Sequence, residues 1–132
     1  MRHTLIILLF ASTYSNAQEI DYTKISEAQS IRQGATLVRH FNLYGEPCAY
    51  FQIIDSTNKW SISETKKFCH IDGKSFLTDF ADAEITNIRL TEKGISISLS
   101  ITPLETTGEQ KKECFMPILN DSLGIIECES TR

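Results

Sequence analysis

An α+β domain built on an antiparallel β meander, with one or two short helices and two disulfide staples, is what the sequence predicts. Three observations predict it. "GISISLSITP", Gly94 to Pro103, alternates strictly: Ile95, Ile97, Leu99 and Ile101 fall on one face, Ser96, Ser98, Ser100 and Thr102 on the other. That period of two marks a strand with one buried and one wet face. Cys114 and Cys128 lie symmetrically about Asp121, and Cys48 and Cys69 lie symmetrically about Asn58-Lys59. "DYTKISEAQSIRQG" spaces Ile25, Ala28 and either Ile31 or Arg32 in the manner of a helix.

The chain begins "MRHTLIILLFASTYSNAQEI". Arg2 is a positive n-region, Thr4 to Ala11 an apolar run too short to span a bilayer, and Ser15 and Ala17 the small residues that a signal peptidase reads. Residues 1–17 are expected to be a secretory signal cut after Ala17, and residues 18–132 a single disulfide-bonded domain. Of the 132 residues, 115 then remain after the 17 are removed, enough for a real core. No later apolar stretch reaches the ~20 residues of a membrane helix. Losing Arg2 from the 13 basic residues leaves 12 against 17 acidic ones, a net charge near −5. Nucleic acid, which demands basic patches, is disfavoured, and a basic protein partner is compatible.

Thr23 is expected to cap the early helix and Gly34 to close it. "ATLVRHFNLYGEP" follows as a strand ending at Gly45–Pro47. "CAYFQIIDSTNKWSISETKKFC" reads as a hairpin turning at Asn58-Lys59, which opposes Cys48 and Cys69; a bulge would move that register. "SFLTDFADA", Ser75 to Ala83, reads either as a short helix capped by Ser75 or as a loop buried by Phe76 and Phe80. Ile85–Thr91, Gly94–Thr102, Lys112–Leu119 and Leu123–Glu129 form the meander. The turn Thr91-Glu92-Lys93-Gly94 is expected to place Gly94 in the left-handed region of a bulged hairpin. In the last hairpin opposed residues sum to 242, so Leu119 faces Leu123, Pro117 faces Ile125 and Cys114 faces Cys128. Directly opposed residues bring Cβ atoms to about 4.5–5.5 Å, near disulfide reach. The pairing expected is therefore Cys48–Cys69 and Cys114–Cys128, as befits an exported domain.

In outline the chain is similar to cystatins, with an early helix, a meander and two disulfides. The Gln-x-Val-x-Gly hairpin and the Pro-Trp loop of that family are absent, since Trp60 follows Lys59, and no residue is carried over.

Chemistry is sparse. The gaps of 20, 44 and 13 residues between successive cysteines lack the C-x2-4-C spacing of structural zinc. His40 and His70 sit in no nucleophile or metal motif; His40 is expected on the polar face of its strand and His70 beside the Asp72-Gly73 turn. Asp79, Asp82 and Glu84 read as a solvated acidic face, or as carboxylates for a cation without the spacing of a calcium loop. Asn120-Asp121-Ser122 is formally a glycosylation sequon. No cofactor, metal or catalytic residue is expected. The function expected is that of an exported, non-enzymatic binding protein: an inhibitor or immunity-type protein acting on a protein partner, in the periplasm or outside the cell. The alternative is a small-ligand carrier or an accessory subunit of an envelope complex. Partner contact is expected at Asn58, Lys59 and Trp60, because a tryptophan beside a turn can anchor an interface; its other reading is a core residue.

Overall fold

The computed structural model describes residues 19–105 and 108–131. The expected signal peptide, residues 1–17, lies outside them. The chain is nearly all β, with 66% in strands and no helix of seven residues or more among the described residues. This overturns the α+β class. β1 (Ile25–Gln33), β2 (Thr36–Leu43), β3 (Ala49–Asp55) and β4 (Ser61–Phe68) form one antiparallel meander. A small hairpin follows, β5 (His70–Ile71) with β6 (Lys74–Ser75). The second meander holds β7 (Phe80–Leu90), β8 (Gly94–Pro103) and β9 (Gln110–Leu119); β10 (Ser122–Leu123) and β11 (Glu127–Ser130) both pair with β9.

The expected helix over residues 23–34 is instead β1, preceded by a single 3-10 turn, Tyr22–Lys24, that Asp21 rather than Thr23 caps. Gly34 takes φ +58° at the first central position of the two-residue turn joining β1 to β2, a conformation open to glycine. Ser75–Ala83 is not a helix either. Ser75 ends β6, Phe80 opens β7, and the turn between them is closed by the Ser75 N–H on the Asp79 carboxylate at 2.7 Å. Phe76 buries that turn, meeting Phe68 edge-on at 5.2 Å.

The two sheets share one core. Val38, Phe51 and Ile53 from the first face Ile95, Ile97, Leu99 and Met116 from the second, each exposed by 2% or less. Burying each such side chain contributes about 1.5–3 kcal/mol. The inward half of the alternation read in "ISISLSI" holds, the isoleucines and Leu99 being inside; the serine face is not wet, for Ser96 and Ser98 are half-buried and Ser100 is buried. Where the sheet edges meet, side chains close the seams. On one side Gln33 donates from β1 to the carbonyls of Thr91 (3.2 Å) and Glu92 (2.9 Å), and Gln29 reaches Ile88 O at 3.5 Å. On the other, Glu64 of β4 accepts the Leu123 N–H at 3.0 Å, and Lys66 donates to Gly124 O at 2.5 Å. The result is a half-barrel whose edges meet polar side chains instead of a continuous ladder.

β3 is buried on both faces, which is why "AYFQII" is apolar but for Gln52. Residues 19–24 cross its outer side: Tyr22 packs on Phe41 at 5.7 Å, and Phe41 stacks on Tyr50 at 5.1 Å. Gln52, fully buried there, has both ends satisfied. Its amide nitrogen donates to Tyr22 Oη (3.0 Å) and Thr65 Oγ1 (3.3 Å), and its oxygen accepts from Arg39 Nε (3.1 Å). Burial, together with the Glu46 carboxylate to which it donates at 2.7 Å, pushes the Tyr50 phenol up to about 12.

Both disulfides have the expected pairing, Cys48–Cys69 and Cys114–Cys128. Cys114 faces Cys128, but nearer the tip the register is one residue shorter: Leu119 faces Ser122, Ile118 faces Leu123, and the Gly124 N–H donates to Pro117 O at 2.7 Å. Asn120 and Asp121, at φ +50° and +60°, make a two-residue turn. The offset is absorbed over Gly124–Ile126, which leaves the ladder. In the first hairpin the cysteine register persists from Ala49↔Phe68 to Ile53↔Glu64, and a bulge then shifts it. Gly94 is not left-handed. What it supplies is closeness: a Cβ there would stand 2.5 Å from Met116 O and 2.5 Å from the Phe115 ring.

Candidate functional site

The turn between β3 and β4 begins with Asp55. Its carboxylate accepts the Thr57 hydroxyl at 2.6 Å and the Thr57 N–H at 2.8 Å, and these bonds hold it below the usual carboxylate range. A 3-10 turn, Ser56–Asn58, follows. Lys59 and Trp60 then both take left-handed backbone, φ +55° and +57°. For residues with a Cβ this conformation costs about 1–2 kcal/mol each, so the surrounding turn must over-determine it.

The register explains where this sends the indole. Arg32, Leu37, Ile54 and Ile62 oppose one another across β1, β2, β3 and β4. The Arg32 guanidinium lies 5.6 Å from the Trp60 ring centroid, so the indole folds back over the outer face of the sheet. Trp60 nevertheless stays 53% exposed and Ile62 45%. Trp60 is therefore neither a core residue nor a free projection; it is a half-exposed platform fixed by a cation–π contact. Asn58 and Lys59 are exposed beside it. Arg32 and Ile62 were missed from sequence, because their proximity follows only from a four-strand register.

The other candidates do not assemble. Asp79 is engaged by Ser75 and Thr78 as the organiser of its turn, while Asp82 and Glu84 are exposed on β7. Among the described residues no three His, Cys, Asp or Glu side chains are placed to hold a metal. Asn120 is exposed at its hairpin tip, and His70 is exposed on β5 beside the Asp72-Gly73 turn.

His40 corrects an expectation. It faces inward, 1% exposed, with its ring 5.4 Å from Phe51. Nε2 pairs with Asn42 Oδ1 at 2.9 Å, and Nδ1 meets no partner among the described residues. Burial holds its pKa below the ordinary 6.5, against the opposing pull of Asn42 and Glu27. The unfolded chain then binds the proton more readily than the folded one. Stability should be level above pH ~6.5 and fall as pH drops below it, by at most about 1.4 kcal/mol per unit from this one group. Urea denaturation between about pH 5.5 and 7.5 should show the slope, and His40→Leu should flatten it; an unchanged slope in the variant would assign it elsewhere.

Two surface grooves border Ile71 and Asp72. The larger, about 570 Å³, has an apolar floor of Ile71, Phe80, Ile101 and Leu104 beside Asp72 and Lys74. The smaller, about 300 Å³, lies between β4 and the segment leading into β11. Among the described residues no helix is long and apolar enough to cross a membrane, and the two disulfides fit an oxidising environment. Comparison of the chain with protein families, characterised proteins and solved structures finds no match.

Proposed function

We propose that this chain is an exported, non-enzymatic binding protein that neutralises a protein partner, such as a cell-wall-degrading enzyme or a toxin, in the periplasm or outside the cell. The observation that carries the reading is the β3–β4 tip. There a half-exposed indole is held by two consecutive left-handed residues, at the end of a hairpin that Cys48–Cys69 braces at its base. Aromatic anchors dominate interface energetics, and a pre-ordered anchor avoids the entropy cost of fixing itself on binding. The leader-like start and the disulfides support export. Acidity favours a basic partner. A carrier would hold its ligand in an apolar cavity, whereas here Phe51, Ile53, Ile97, Leu99 and Met116 fill the space between the sheets; this supports binding at the surface.

Trp60→Ala tests it. The indole is only half covered, so stability should fall by about 1 kcal/mol through the lost cation–π contact and modest burial, rather than by the ~3–5 kcal/mol of a core aromatic. Affinity for the partner that co-purifies with the protein should weaken by about 2 kcal/mol or more. A thermal melt and a calorimetric titration on the same variant read both quantities. A near-normal melt with unchanged affinity removes the tip from the interface.

A further inference from the structure

Among the described residues His40 is the one buried side chain with a polar atom left unpaired, and such an orphan in a native interior calls for a reason. Its surroundings are polar on one side only. Asn42 on β2 takes Nε2, while on β1 Gln29 stands opposite His40 and Glu27 opposite Asn42. Its neighbour on β3 is Phe51, and beyond that Lys66 of β4 is engaged at Gly124 O. β7 turns Ala83, Ile85, Ile88 and Leu90 towards the core, none of them titratable. Glu27 is the charged group that acts on the ring. Asn42 also lines a surface recess of about 130 Å³, with Glu46 on the β2–β3 connection and Glu84 on β7. The surface is thus one side chain away from the imidazole.

The wall over this ring has no backbone joint. β1 and β7 are outer strands of different sheets, and no ladder joins them. Gln33 holds the seam at the carbonyls of Thr91 and Glu92, and the Gln29 amide is shared between Ile88 O and the Glu27 carboxylate, at 3.5 Å each. With Nε2–H donated to Asn42 Oδ1, the free lone pair is on Nδ1. A proton taken up there becomes a buried cationic donor without an acceptor, which is costly unless water reaches it. We propose that His40 is an acid-sensitive latch: its protonation parts β1 from β7 and swings the β1–β2 edge outward, while the second sheet keeps its packing. Burial disfavours the charged ring in the closed seam, so each pH unit below about 6.5 favours the open form by up to tenfold, until the closed form itself takes the proton. Arg32, beside Gln33 on β1, carries the Trp60 indole, so the same motion loosens that platform. The seam movement needs no partner; only its bearing on binding rests on the reading of Trp60 as an anchor.

The test is a titration of the intact, disulfide-bonded protein from pH 7.5 to 5. The His40 ring signals in NMR give the midpoint of its protonation. Contacts between the Gln33 side-chain amide and Thr91 should fade over the same interval, while backbone amides of β8 and β9 keep their protection from exchange. Trp60 is the single tryptophan of the chain, and its fluorescence should change with the same midpoint. The open population should rise at least tenfold across the interval. His40→Gln, which can still bond Asn42 but cannot take the charge, and His40→Leu should each remove the transition. His70→Gln, at the other histidine of the described residues, should leave it in place. The latch is overturned if the seam contacts persist to pH 5, if β8 and β9 lose protection in step with the seam, or if the transition survives substitution of His40. Should neither His40 variant fold, the wild-type titration decides alone. Coincident ring and seam transitions, with an affinity for the co-purifying partner that acid leaves unchanged, would uphold the latch and remove Trp60 from the interface.

Discussion

Phe51→Ala should lower the free energy of unfolding by about 3–5 kcal/mol, a large fraction of the roughly 5–15 kcal/mol that holds an ordinary domain folded. Phe51 is fully buried on the inner face of β3, opposite His40 on β2 and Lys66 on β4, and it belongs to the cluster both sheets share. Truncating it removes the transfer free energy of the ring and leaves a space that Ile53, Ile97 and Met116 must collapse into. Such interiors are packed too densely to do so fully. The melting temperature should fall by roughly 15 °C or more. Tyr50→Ala, one residue away, is the informative comparison. Its ring lies on the opposite face, in a smaller cluster with Phe41 and Leu43 beneath residues 19–24. That strap can settle into the gap, so the loss should be smaller. Equal losses in urea unfolding would mean that the outer layer is as tightly packed as the space between the sheets.

The residues whose structure departs from their sequence pattern share a cause. β1 reads as a helix because Ile25, Ala28 and Ile31 recur at helical spacing, while the positions that would show a period of two are polar. Gln29 and Gln33 face the same way as Ile31, yet they meet the carbonyls of β7 and the following turn rather than an apolar wall. An edge strand whose inward face closes a seam lacks the hydrophobic alternation of a central one. His40 reads as an outward residue for a similar reason: it is polar, and Leu37, Phe41 and Leu43 make the outer face of β2 more apolar in sequence than the inner face of Thr36, Val38, His40 and Asn42. β8 was legible because its two faces differ sharply. The cysteines were legible because symmetry about a turn survives small errors, and a one-residue offset at Gly124–Ile126 and a bulge in β4 left both pairs opposed. The tip at Trp60 was visible as an aromatic beside a turn. Its covering by Arg32 was not, since it depends on three successive strand registers.

Removing the disulfides one at a time should show that they are not equivalent. Each closes a loop of modest size, sequence separations 21 and 14, and on chain entropy alone each contributes about 3 kcal/mol. Their surroundings differ. Cys48 and Cys69 are 1% and 3% exposed and both belong to the core, whereas Cys128 is only partly buried against it. Cys48→Ala/Cys69→Ala therefore adds a packing defect at the base of the β3–β4 hairpin to the entropic loss, and should be the more destabilising pair, with global unfolding at lower urea. Cys114→Ala/Cys128→Ala releases a four-residue strand whose one strand partner among the described residues is β9. Part of its effect should be local: amides of Glu127–Ser130 should exchange with solvent well before the rest of the sheet does. Identical urea midpoints for the two double variants, with β11 still protected in both, would show that neither packing at Cys48–Cys69 nor tethering at Cys128 matters beyond loop closure.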